Sequence, residues 1–515
     1  MLGDLVRRTA KLHRELVLVV DDRRAVTAGA LAAEVDALAA QLAGLGVGFA
    51  DRVAVSSRNR IEVVTATFAA ARLGAVVVPV NWRSKAREIR HVLEDACAKV
   101  VLFEPTLAAE LAPVVTALPD VAAWVSLDPH ALPWAITLDD VEPGPIPDVA
   151  VDEDNVVVQL YTSGTTGAPK GAMLTHRNLE AVVAAYLLEM HLAPQRSRFL
   201  QVTPLFHVGG LLMLLLCLAS PCTIVLQPEF VPARVLAALA DDGITHTLLV
   251  PAMLRWLLAT PGIRDRTFPA LALVGYGAAP MPADLLADAT AVLRCDFVQG
   301  YGLTETAGVA TALRPEDHRS GDPAILGSAG REIFGCEIRI VDADGVEVPC
   351  GQPGEIVVRG PNVTPGYYGR PDASADAVRG GWLHTGDIGR IDAAGYVTVV
   401  DRLKDMILVG GENVYPSEVE AVLRSHPAVA DVAVVGIPHR VWGEEVLAVV
   451  VAGPDAPEDD GALEVAVIRH ARAELAQFKC PTRVQRVAEL PRNAAGKLMK
   501  DQIRRPFWDG RDRRV

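Results

Sequence analysis

A chain of 515 residues is longer than a single hydrophobic core supports, so its length predicts at least two domains. Hydrophobic residues make up 50% of the chain and charged residues 22%, a balance that is typical of folded globular proteins and excludes global disorder. The formal net charge of −14, without any long basic stripe, argues against a nucleic-acid partner.

The cysteines and the start of the chain predict an untargeted, cytoplasmic protein. The seven cysteines are scattered, and none is spaced as a metal-binding pair, which is typical of reduced thiols. The N-terminal stretch lacks an apolar segment followed by a small-residue cleavage site. The one membrane-like run, residues 208–226, is interrupted by Gly209, Gly210, Ser220 and Pro221, so we predict a buried helix followed by a buried strand instead of a transmembrane segment.

Apolar β-rich runs alternate with Ala- and Leu-rich stretches along the N-terminal part of the chain. The runs at 53–57, 75–80, 99–103 and 222–226 predict buried strands, and the stretch 31–45 predicts a helix. This alternation predicts an α/β architecture with largely parallel strands.

The pattern changes twice in the C-terminal part of the chain. Short strands broken by turns predict a β-rich subdomain over about 335–400. Beyond it the pattern returns to mixed α and β, and Ser417 and Glu420 have the spacing of a capping box at a helix start. We therefore predict a large N-terminal domain of α/β sheets over 1–400 and a small, mobile α+β domain over 401–515.

A loop rich in glycine and hydroxyl residues, YTSGTTGAPKG at 161–171, follows the apolar strand predicted at 156–160. Its small residues allow backbone N–H and hydroxyl groups to approach phosphate oxygens, and Lys170 adds a positive charge. It is not a Walker A loop, because Pro169 precedes the lysine and Gly171 follows it. The loop predicts a phosphate-binding site, with a flexible surface loop as the alternative. The candidate ligands are Thr162, Ser163, Gly164, Thr165, Thr166, Gly167 and Lys170.

At this string the chain resembles the adenylate-forming superfamily, which comprises acyl-CoA synthetases, peptide-synthetase adenylation domains and luciferases. Further motifs of that family follow in order: PLFHVGG (204–210), YGAAP (276–280), QGYGLTET (299–306), GWLHTGDIG (381–389), DRLKDMILVGGENVYPSEVE (401–420) and PRNAAGKLMK (491–500). Together they span nearly the whole chain. The resemblance implies a ligase that uses ATP, Mg²⁺ and coenzyme A: it activates a small-molecule carboxylic acid as its acyl-adenylate and passes the acyl group to a thiol.

The resemblance also assigns nucleotide contacts to residues of these motifs. Thr304 would contact the α-phosphate, and Glu305 would bind Mg²⁺, a hard cation that prefers oxygen ligands. Tyr301 would stack on the adenine ring. Asp387 and Arg402 would bind the ribose hydroxyls. The small-residue wall on the other side of the adenine would be Gly277, Ala278, Ala279 and Pro280.

The C-terminal motifs imply that the small domain serves two half-reactions in turn. Lys497 would bridge the carboxylate and the α-phosphate in the first, an electrostatic contribution of roughly 10²- to 10³-fold per donor. Asp401 resembles the hinge residue about which the domain rotates. In the second orientation Gly410 and Gly411 would line the channel for the thiol.

The acyl pocket implied by the resemblance is lined by His207, Val208, Gly209, Gly275, Gly300 and Leu303. The stretches around these residues contain no Lys or Arg, and burying a carboxylate without a partner is strongly unfavourable. We therefore predict an apolar monocarboxylic acid, either a medium- to long-chain fatty acid or an aryl acid, since the glycines leave room for a wide body. His207 would act catalytically as an aromatic gate between this pocket and the thiol channel; the alternative is a packed core histidine.

Two alternative functions remain open. The acceptor could be the pantetheine of an acyl carrier protein instead of free coenzyme A, because both end in the same thiol. A binding protein that kept the fold without catalysis would show the loss of Lys497, Glu305 or Asp387, and all three are present. The oligomeric state is also open, with a homodimer as one option.

Overall fold

The computed structural model describes residues 1–129, 132–162, 169–279, 281–409, 412–492 and 498–509. The chain forms two compact units. Unit 1 consists of Met1–Ile338 and Val358–His384, and unit 2 consists of Arg339–Val357 and Thr385–Val515. Asp401 therefore falls inside unit 2, and the domain division and hinge predicted there stay predictions.

Most of unit 1 is built from strands that alternate with helices. The strands are β1 (Val17–Val20), β2 (Ala25–Thr27), β3 (Arg52–Ser56), β4 (Val76–Val80), β5 (Ala98–Phe103), β6 (Ala123–Ser126), β7 (Ile136–Thr137), β8 (Val156–Thr162), β9 (Lys170–Thr175), β10 (Arg198–Gln201), β11 (Thr223–Leu226), β12 (His246–Leu248), β13 (Leu273–Gly277), β14 (Asp296–Tyr301), β15 (Thr311–Leu313) and β16 (Arg331–Glu332). The helices are α1 (Leu5–Leu12), α2 (Ala28–Gly44), α3 (Ile61–Arg72), α4 (Ala86–Asp95), α5 (Ala108–Val115), α6 (His176–Met190), α7 (Val208–Ala219), α8 (Pro232–Asp241), α9 (Pro251–Leu258), α10 (Ala283–Leu293), α11 (Pro315–Ser320), α12 (Pro323–Leu326) and α13 (Pro371–Ala377).

These strands form largely parallel sheets. One sheet has the order β7-β6-β5-β3-β4-β8-β9, and another has the order β16-β15-β14-β13-β12-β10-β11-β1-β2. Neighbouring strands from β7 through β8 in the first, and from β14 through β1 in the second, are parallel. The predicted α/β architecture is confirmed.

The longest apolar run of the chain is buried at the centre of unit 1. Residues of α7 such as Leu211, Leu215 and Leu218 are at most 2% exposed and belong to the same core cluster as residues of α2, α3 and α6. Helix α7 is followed by strand β11, so the predicted helix and strand over 208–226 are confirmed. Within the described ranges, no helix combines the length and the hydropathy that a membrane span requires.

A further sheet lies in the region where a β-rich subdomain was predicted. Its order is β17-β18-β20-β19, with β21 paired to β20. Strands β17, β18 and β20 each contain a boundary between the units. The strands are β17 (Glu337–Val341), β18 (Gly354–Arg359), β19 (Val378–Arg379), β20 (Trp382–Ile391) and β21 (Val397–Arg402).

The rest of unit 2 is a sheet with helices on both faces. Its order is β23-β22-β25-β24, with β26 parallel to β25. One face, which includes Val434 and Val450, packs against α14 and α15, and the other, which includes Val435 and Leu447, packs against α16. The elements are β22 (Ile407–Val409), β23 (Glu412–Val414), α14 (Pro416–Arg424), β24 (Val429–His439), β25 (Gly443–Ala452), α15 (Asp460–Glu474), β26 (Arg483–Val487) and α16 (Lys500–Trp508).

The capping box predicted at Ser417 and Glu420 is wrong. Helix α14 begins at Pro416, whose fixed φ suits the first helical position, so Ser417 is already inside the first turn. The carboxylate of Glu420 accepts the backbone N–H of Val434 and pairs with Lys500 at 2.8 Å instead of reaching back along its own helix.

Candidate active site

Glycines lie at the carboxyl ends of two adjacent parallel strands in unit 1. Gly275 and Gly277 lie on β13, and Gly300 pairs with Gly277 across the β13–β14 ladder. A Cβ atom at Gly277 would lie 2.4 Å from the carbonyl oxygen of Gly300, so no larger residue fits between these strand ends. The carboxyl ends of parallel strands are the usual place for ligands in α/β sheets.

Side chains of α6 and β12 lie against two of these glycines. A Cβ at Gly300 would lie 2.9 Å from the hydroxyl of Tyr186 on α6, and a Cβ at Gly275 would lie 3.1 Å from Leu248 Cδ1 and 3.6 Å from Met190 Sδ. The space freed by these glycines is therefore shared with protein side chains. We call the surface formed by Tyr186, Val208, Gly209, Gly275, Gly300 and Val309 the acyl crevice.

His207 and the first residues of α7 stand at one end of this crevice. His207 is the N-cap of α7, and Val208 lies against Gly308, where a Cβ would be 3.4 Å from Val208 Cγ2. A Cβ at Gly209 would lie 3.6 Å from Leu248 Cδ2, an ordinary contact distance. The His207 ring is reached by solvent. The protein that nevertheless surrounds it, together with the charge of Arg83, lowers the pKa of His207 to about 4, so the ring is neutral near pH 7.

Arg83 was missed by the sequence analysis. Its guanidinium lies 4.7 Å from the centre of the Trp82 ring, and that of Arg58 lies 4.6 Å from the same centre. Burial lowers the pKa of Arg83, while the charge of Glu229 raises it. No local motif marks Arg83; the available signal was that it follows the carboxyl end of the buried strand β4.

The described residues at the two ends of the phosphate loop are held together by the β8–β9 hairpin. Thr162, directly before the loop residues, pairs in the ladder with Lys170, which lies shortly after them. The Lys170 ammonium lies 5.1 Å from the centre of the Tyr367 ring. The candidate ligands Ser163, Gly164, Thr165, Thr166 and Gly167 lie outside the described residues.

Helix α4 contacts both ends of this loop. His91 Nε2 donates to the carbonyl oxygen of Pro169 at 2.9 Å, and one turn later Asp95 accepts a 2.8 Å hydrogen bond from the Tyr161 hydroxyl. Asp95 also pairs with Arg370. Burial and the hydrogen bond to Asp95 raise the pKa of Tyr161, which keeps its hydroxyl protonated as the donor.

Glu305 is held in a short turn that follows β14. Thr304 begins this turn and Leu303 precedes it. The Glu305 carboxylate is 9% exposed and accepts a 2.7 Å hydrogen bond from the Tyr367 hydroxyl, while its carbonyl oxygen accepts the N–H of Thr364. Burial and the neighbouring carboxylate raise the pKa of Tyr367, so the phenol stays the donor.

The residues around Glu305 fit a magnesium ion. Among the described residues no cluster of three or more His, Cys, Asp or Glu side chains could hold a metal by itself. Mg²⁺ commonly binds one or two carboxylates and completes its octahedron with substrate phosphates and water. A single buried carboxylate with one oxygen fixed by Tyr367 suits that coordination. We call Lys170, Glu305 and Tyr367 the phosphate side.

The adenine contacts predicted from the sequence meet at the ends of two neighbouring strands. Tyr301 ends β14, and Gly277 ends β13 and leads into Ala278, whose φ is +66°, and the exposed Ala279. Pro280 lies outside the described residues.

In unit 2 the predicted ribose residues form an ion pair. Asp387 and Arg402 are cross-strand partners on β20 and β21, and the Arg402 Nε lies 2.6 Å from Asp387 Oδ1. Next to them, Asp401 accepts the backbone N–H groups of Arg402 and Ser417, both at 2.7 Å. The roles of all three stay predictions. The predicted residues Gly410, Gly411 and Lys497 lie outside the described residues.

Tyr367 and Tyr186 were also missed by the sequence analysis. Tyr367 stands in GYYG at 366–369, a string that marks a turn but no chemistry. Tyr186 is an apolar-face residue of an ordinary helix pattern. Both acquire their contacts from residues more than 60 positions away along the chain, so no local pattern could have identified them.

Comparison with known proteins identifies the family of the chain. The AMP-binding enzyme family matches residues 6–368, and the AMP-binding enzyme C-terminal domain matches residues 418–497. A feruloyl-CoA synthase of an Amycolatopsis species is 39% identical over 98% of this chain and 99% of that protein. A fatty acid–[acyl-carrier-protein] ligase of Streptomyces coeruleorubidus is 37% identical over 96% of this chain and 94% of that protein.

Solved structures extend the likeness to the fold. The o-succinylbenzoate CoA synthetase of Bacillus subtilis, in complex with its acyl-adenylate intermediate, superposes with a TM-score of 0.84 at 31% identity and covers 97% of both chains. The family match spans most of the chain, and the relatives are acid–thiol ligases by name. The chain therefore belongs to the AMP-binding enzymes of the adenylate-forming superfamily, and it is an AMP-forming ligase of the acyl-CoA ligase type.

Proposed function

We propose that this ligase activates an apolar monocarboxylic acid, fatty or aryl, and transfers it to coenzyme A. A carboxylate oxygen of the acid attacks the α-phosphorus of ATP, and pyrophosphate leaves. The thiol of coenzyme A then attacks the acyl carbon of the acyl-AMP, and AMP leaves. The thiol needs no dedicated base, since about a few per cent of a free thiol is ionised near neutral pH.

One observation carries the proposal. Lys170, Tyr367 and Glu305 form a continuous series of contacts, and Glu305 lies in the short turn after β14, the strand that also carries Gly300 of the acyl crevice. A carboxylate for a metal-bound triphosphate thus lies just beyond the strand that carries Gly300, and a cation from β9 is linked to it through Tyr367. Mg²⁺ held by Glu305, phosphate oxygens and water would neutralise the charge of the leaving pyrophosphate.

The acyl crevice supports an apolar acid. Apart from the Tyr186 hydroxyl, its walls are Val208, Val309 and backbone glycine, and the neighbouring His207 is neutral at pH 7. The positive charge that acts on His207 is that of Arg83, and it is already opposed by Glu229. A second carboxylate on the acid would therefore lack a free partner.

The predicted roles in unit 2 belong to the same proposal. Lys497 stabilises the charge that develops in adenylation, Asp387 and Arg402 bind the ribose, and rotation about Asp401 exchanges Lys497 for Gly410 and Gly411 between the half-reactions. Such rotation assembles each catalytic set only when it is needed.

The proposal is tested by following both half-reactions by mass spectrometry. The acids are acetate, malonate, octanoate, benzoate, a cinnamate-type acid and o-succinylbenzoate. We expect acyl-AMP and acyl-CoA from octanoate or the aryl monocarboxylates. Malonate, acetate or the dicarboxylate o-succinylbenzoate as the best substrate would contradict the proposed class.

Lys497→Ala is expected to reduce adenylation roughly 10²-fold or more, yet to spare thioester formation from synthetic acyl-AMP. Equal losses in both half-reactions would contradict the rotation.

The acceptor is tested in the same assay. The relative named as a fatty acid–[acyl-carrier-protein] ligase favours carrier-bound pantetheine as the second candidate. Parallel reactions with coenzyme A and with a phosphopantetheinylated carrier protein, each at several concentrations, separate the two by kcat/KM. Preference for the carrier would replace coenzyme A in the proposal and leave the adenylation step intact.

A further inference from the structure

The loop that follows β3 carries a buried asparagine. Asn59 lies between the end of β3 and the start of α3 and is 3% exposed. Its Nδ2 donates to the carbonyl oxygens of Thr203 and Gln227, which follow adjacent strands of the other sheet, both at 3.2 Å. Its Oδ1 accepts the backbone N–H of Leu205 at 2.9 Å. These partners lie 144 to 168 positions away along the chain, so Asn59 ties the two sheets together.

One of these three hydrogen bonds is shared with a second donor. The Thr203 carbonyl oxygen also accepts a 2.6 Å hydrogen bond from Nε2 of Gln201. Within the described ranges, the Leu205 N–H has Asn59 as its partner, and Leu205 is 4% exposed. A buried backbone N–H that loses its partner is strongly unfavourable. Without Asn59, the backbone of residues 203–205 would have to move to satisfy it.

The segment 203–205 supports the first turn of α7 directly. A Cβ at Gly210 would lie 2.1 Å from the carbonyl oxygen of Pro204, so the helix backbone and the segment are in contact. The backbone N–H of His207 donates to the same oxygen at 3.1 Å. His207 is the N-cap of α7, and the first residues of this helix belong to the acyl crevice. A shift of the segment therefore moves the His207 end of the crevice.

We propose that Asn59 is a positioning residue for the acid. It acts through the backbone of 203–205, which fixes where His207 and the first turn of α7 stand beside the acyl crevice. This inference rests on the proposed ligase function and adds the group that holds one end of its acyl site in place. Loss of Asn59 should weaken binding of the acid, while the phosphate side, which has hydrogen bonds of its own, should keep its affinity for ATP.

A second buried asparagine of unit 1 offers a matched control. Asn178 is 4% exposed, and its Oδ1 accepts the backbone N–H of Thr175 at 2.9 Å. Its Nδ2 donates to the carbonyl oxygens of Pro361 at 2.8 Å and Val363 at 2.7 Å. Asn178 therefore makes the same three kinds of hydrogen bond as Asn59, but to a segment that does not carry His207.

The test compares wild type, Asn59→Ala, the milder Asn59→Ser and the control Asn178→Ala. Acyl-AMP formation is measured with octanoate and benzoate, once at varied acid with saturating ATP and once at varied ATP with saturating acid. Thermal unfolding measures the stability of each variant. Hydrogen–deuterium exchange, resolved to the Leu205 amide by mass spectrometry with fragmentation, reports on the segment itself.

The Leu205 amide should be protected in wild type and in Asn178→Ala, and should exchange at least about tenfold faster in Asn59→Ala. The KM for the acid should rise about tenfold in Asn59→Ala and less in Asn59→Ser, while the KM for ATP changes less than about twofold. Asn178→Ala should lower the unfolding temperature and leave the KM for the acid unchanged.

Three results would overturn the inference while the ligase function stands. The first is rapid exchange of the Leu205 amide in wild type, which decides the matter even if the Asn59 variants fail to fold. The second is an equal rise of the KM for the acid and the KM for ATP. The third is the same rise of the acid KM in Asn178→Ala, because the loss would then be one of general stability. If wild type converts no acid at all, the inference and the proposed function both fail.

Discussion

On the phosphate side of unit 1 each charged group has a fixed neighbour: Tyr367 donates to Glu305, and the Lys170 ammonium lies over the Tyr367 ring. In the acyl crevice the corresponding positions are glycines, and their neighbours are apolar side chains and the Tyr186 hydroxyl, which lies 2.9 Å from the position of a Cβ at Gly300. One half of the site is therefore organised before any ligand binds, while the other half leaves its contacts to the ligand.

The contrast follows from what each half has to recognise. The triphosphate of ATP is the same in every turnover, so the hydrogen-bond donors and charges that bind it can be held in fixed positions. Charges that are preorganised in this way stabilise a transition state most. The acyl body differs between members of such a family, and glycine positions vary pocket shape without disturbing the strands. Four predictions test whether the halves are as separate as this comparison implies.

The largest effect is expected from Glu305→Gln. A neutral amide is a poorer ligand for a hard cation than a carboxylate, so adenylation should fall roughly 10²-fold and require more Mg²⁺. Pyrophosphate exchange as a function of Mg²⁺ concentration measures the kinetic change, and binding of Mn²⁺ with ATP measures the metal affinity directly. Glu316→Gln, an exposed glutamate on α11, is the control. An unaltered metal dependence would remove Glu305 from the metal site.

A smaller effect is expected from Tyr367→Phe, which removes the hydrogen bond to Glu305 and keeps the ring beneath Lys170. The lost hydrogen bond to a charged group should raise the Mg²⁺ concentration for half-maximal exchange about tenfold. Relative kcat/KM values for different acids should not change. The adjacent Tyr368→Phe is the control, because the Tyr368 ring stacks on Arg52 with its guanidinium carbon 4.0 Å from the ring centre. Equal effects of the two variants would mean that the loss is one of packing.

The third effect concerns the ends of the phosphate loop. His91→Ala removes the donor to the Pro169 carbonyl, so we expect the KM for ATP to rise about fivefold while the selectivity among acids stays unchanged. Arg90→Ala, an exposed neighbour on the same helix, controls for the stability of α4. A change in acid selectivity would show that the loop and the acyl crevice are coupled.

Periodicity and composition were sufficient for the framework of the molecule. The apolar runs of β3, β4 and β5 and the continuous apolar stretch of α7 and β11 have no other stable placement than the interior, so their burial could be predicted. The capping box failed because local spacing did not include Pro416, which starts the helix earlier, or Lys500, which binds Glu420 from 80 positions away.

For the site, motifs pointed to residues that are predicted to contact ligands and not to the residues that support them. Glu305 stands in a recognisable string, but its partner Tyr367 is brought to it by the fold. Gly300 was predicted to leave room for the acyl body, and the same room is bordered by Tyr186, which reaches it from α6. Contacts of this kind depend on tertiary packing, and a single sequence does not encode them in any local pattern.

The smallest effect is a pH dependence that should be absent. His207 stands beside the acyl crevice, and although solvent reaches the ring, its pKa is lowered to about 4 by the protein around it and by the charge of Arg83. It should stay neutral from pH 8 down to about pH 5, whereas an ordinary histidine would become charged below about pH 6.5. The ratio of kcat/KM for benzoate to that for octanoate should then change less than about twofold between pH 8 and pH 5.5, because no charge appears beside the crevice over that range.

The ratio is the useful quantity, since ionisation of ATP, of Mg²⁺ ligands or of the phosphate side affects both acids alike and cancels. Arg83→Gln removes the charge that disfavours imidazolium, so in this variant the His207 pKa should rise and a pH dependence of the ratio should appear. A wild-type ratio that changes with a midpoint near pH 6.5 would show that His207 becomes protonated like an ordinary histidine. The acyl crevice would then have a positive charge beside it, contrary to the prediction.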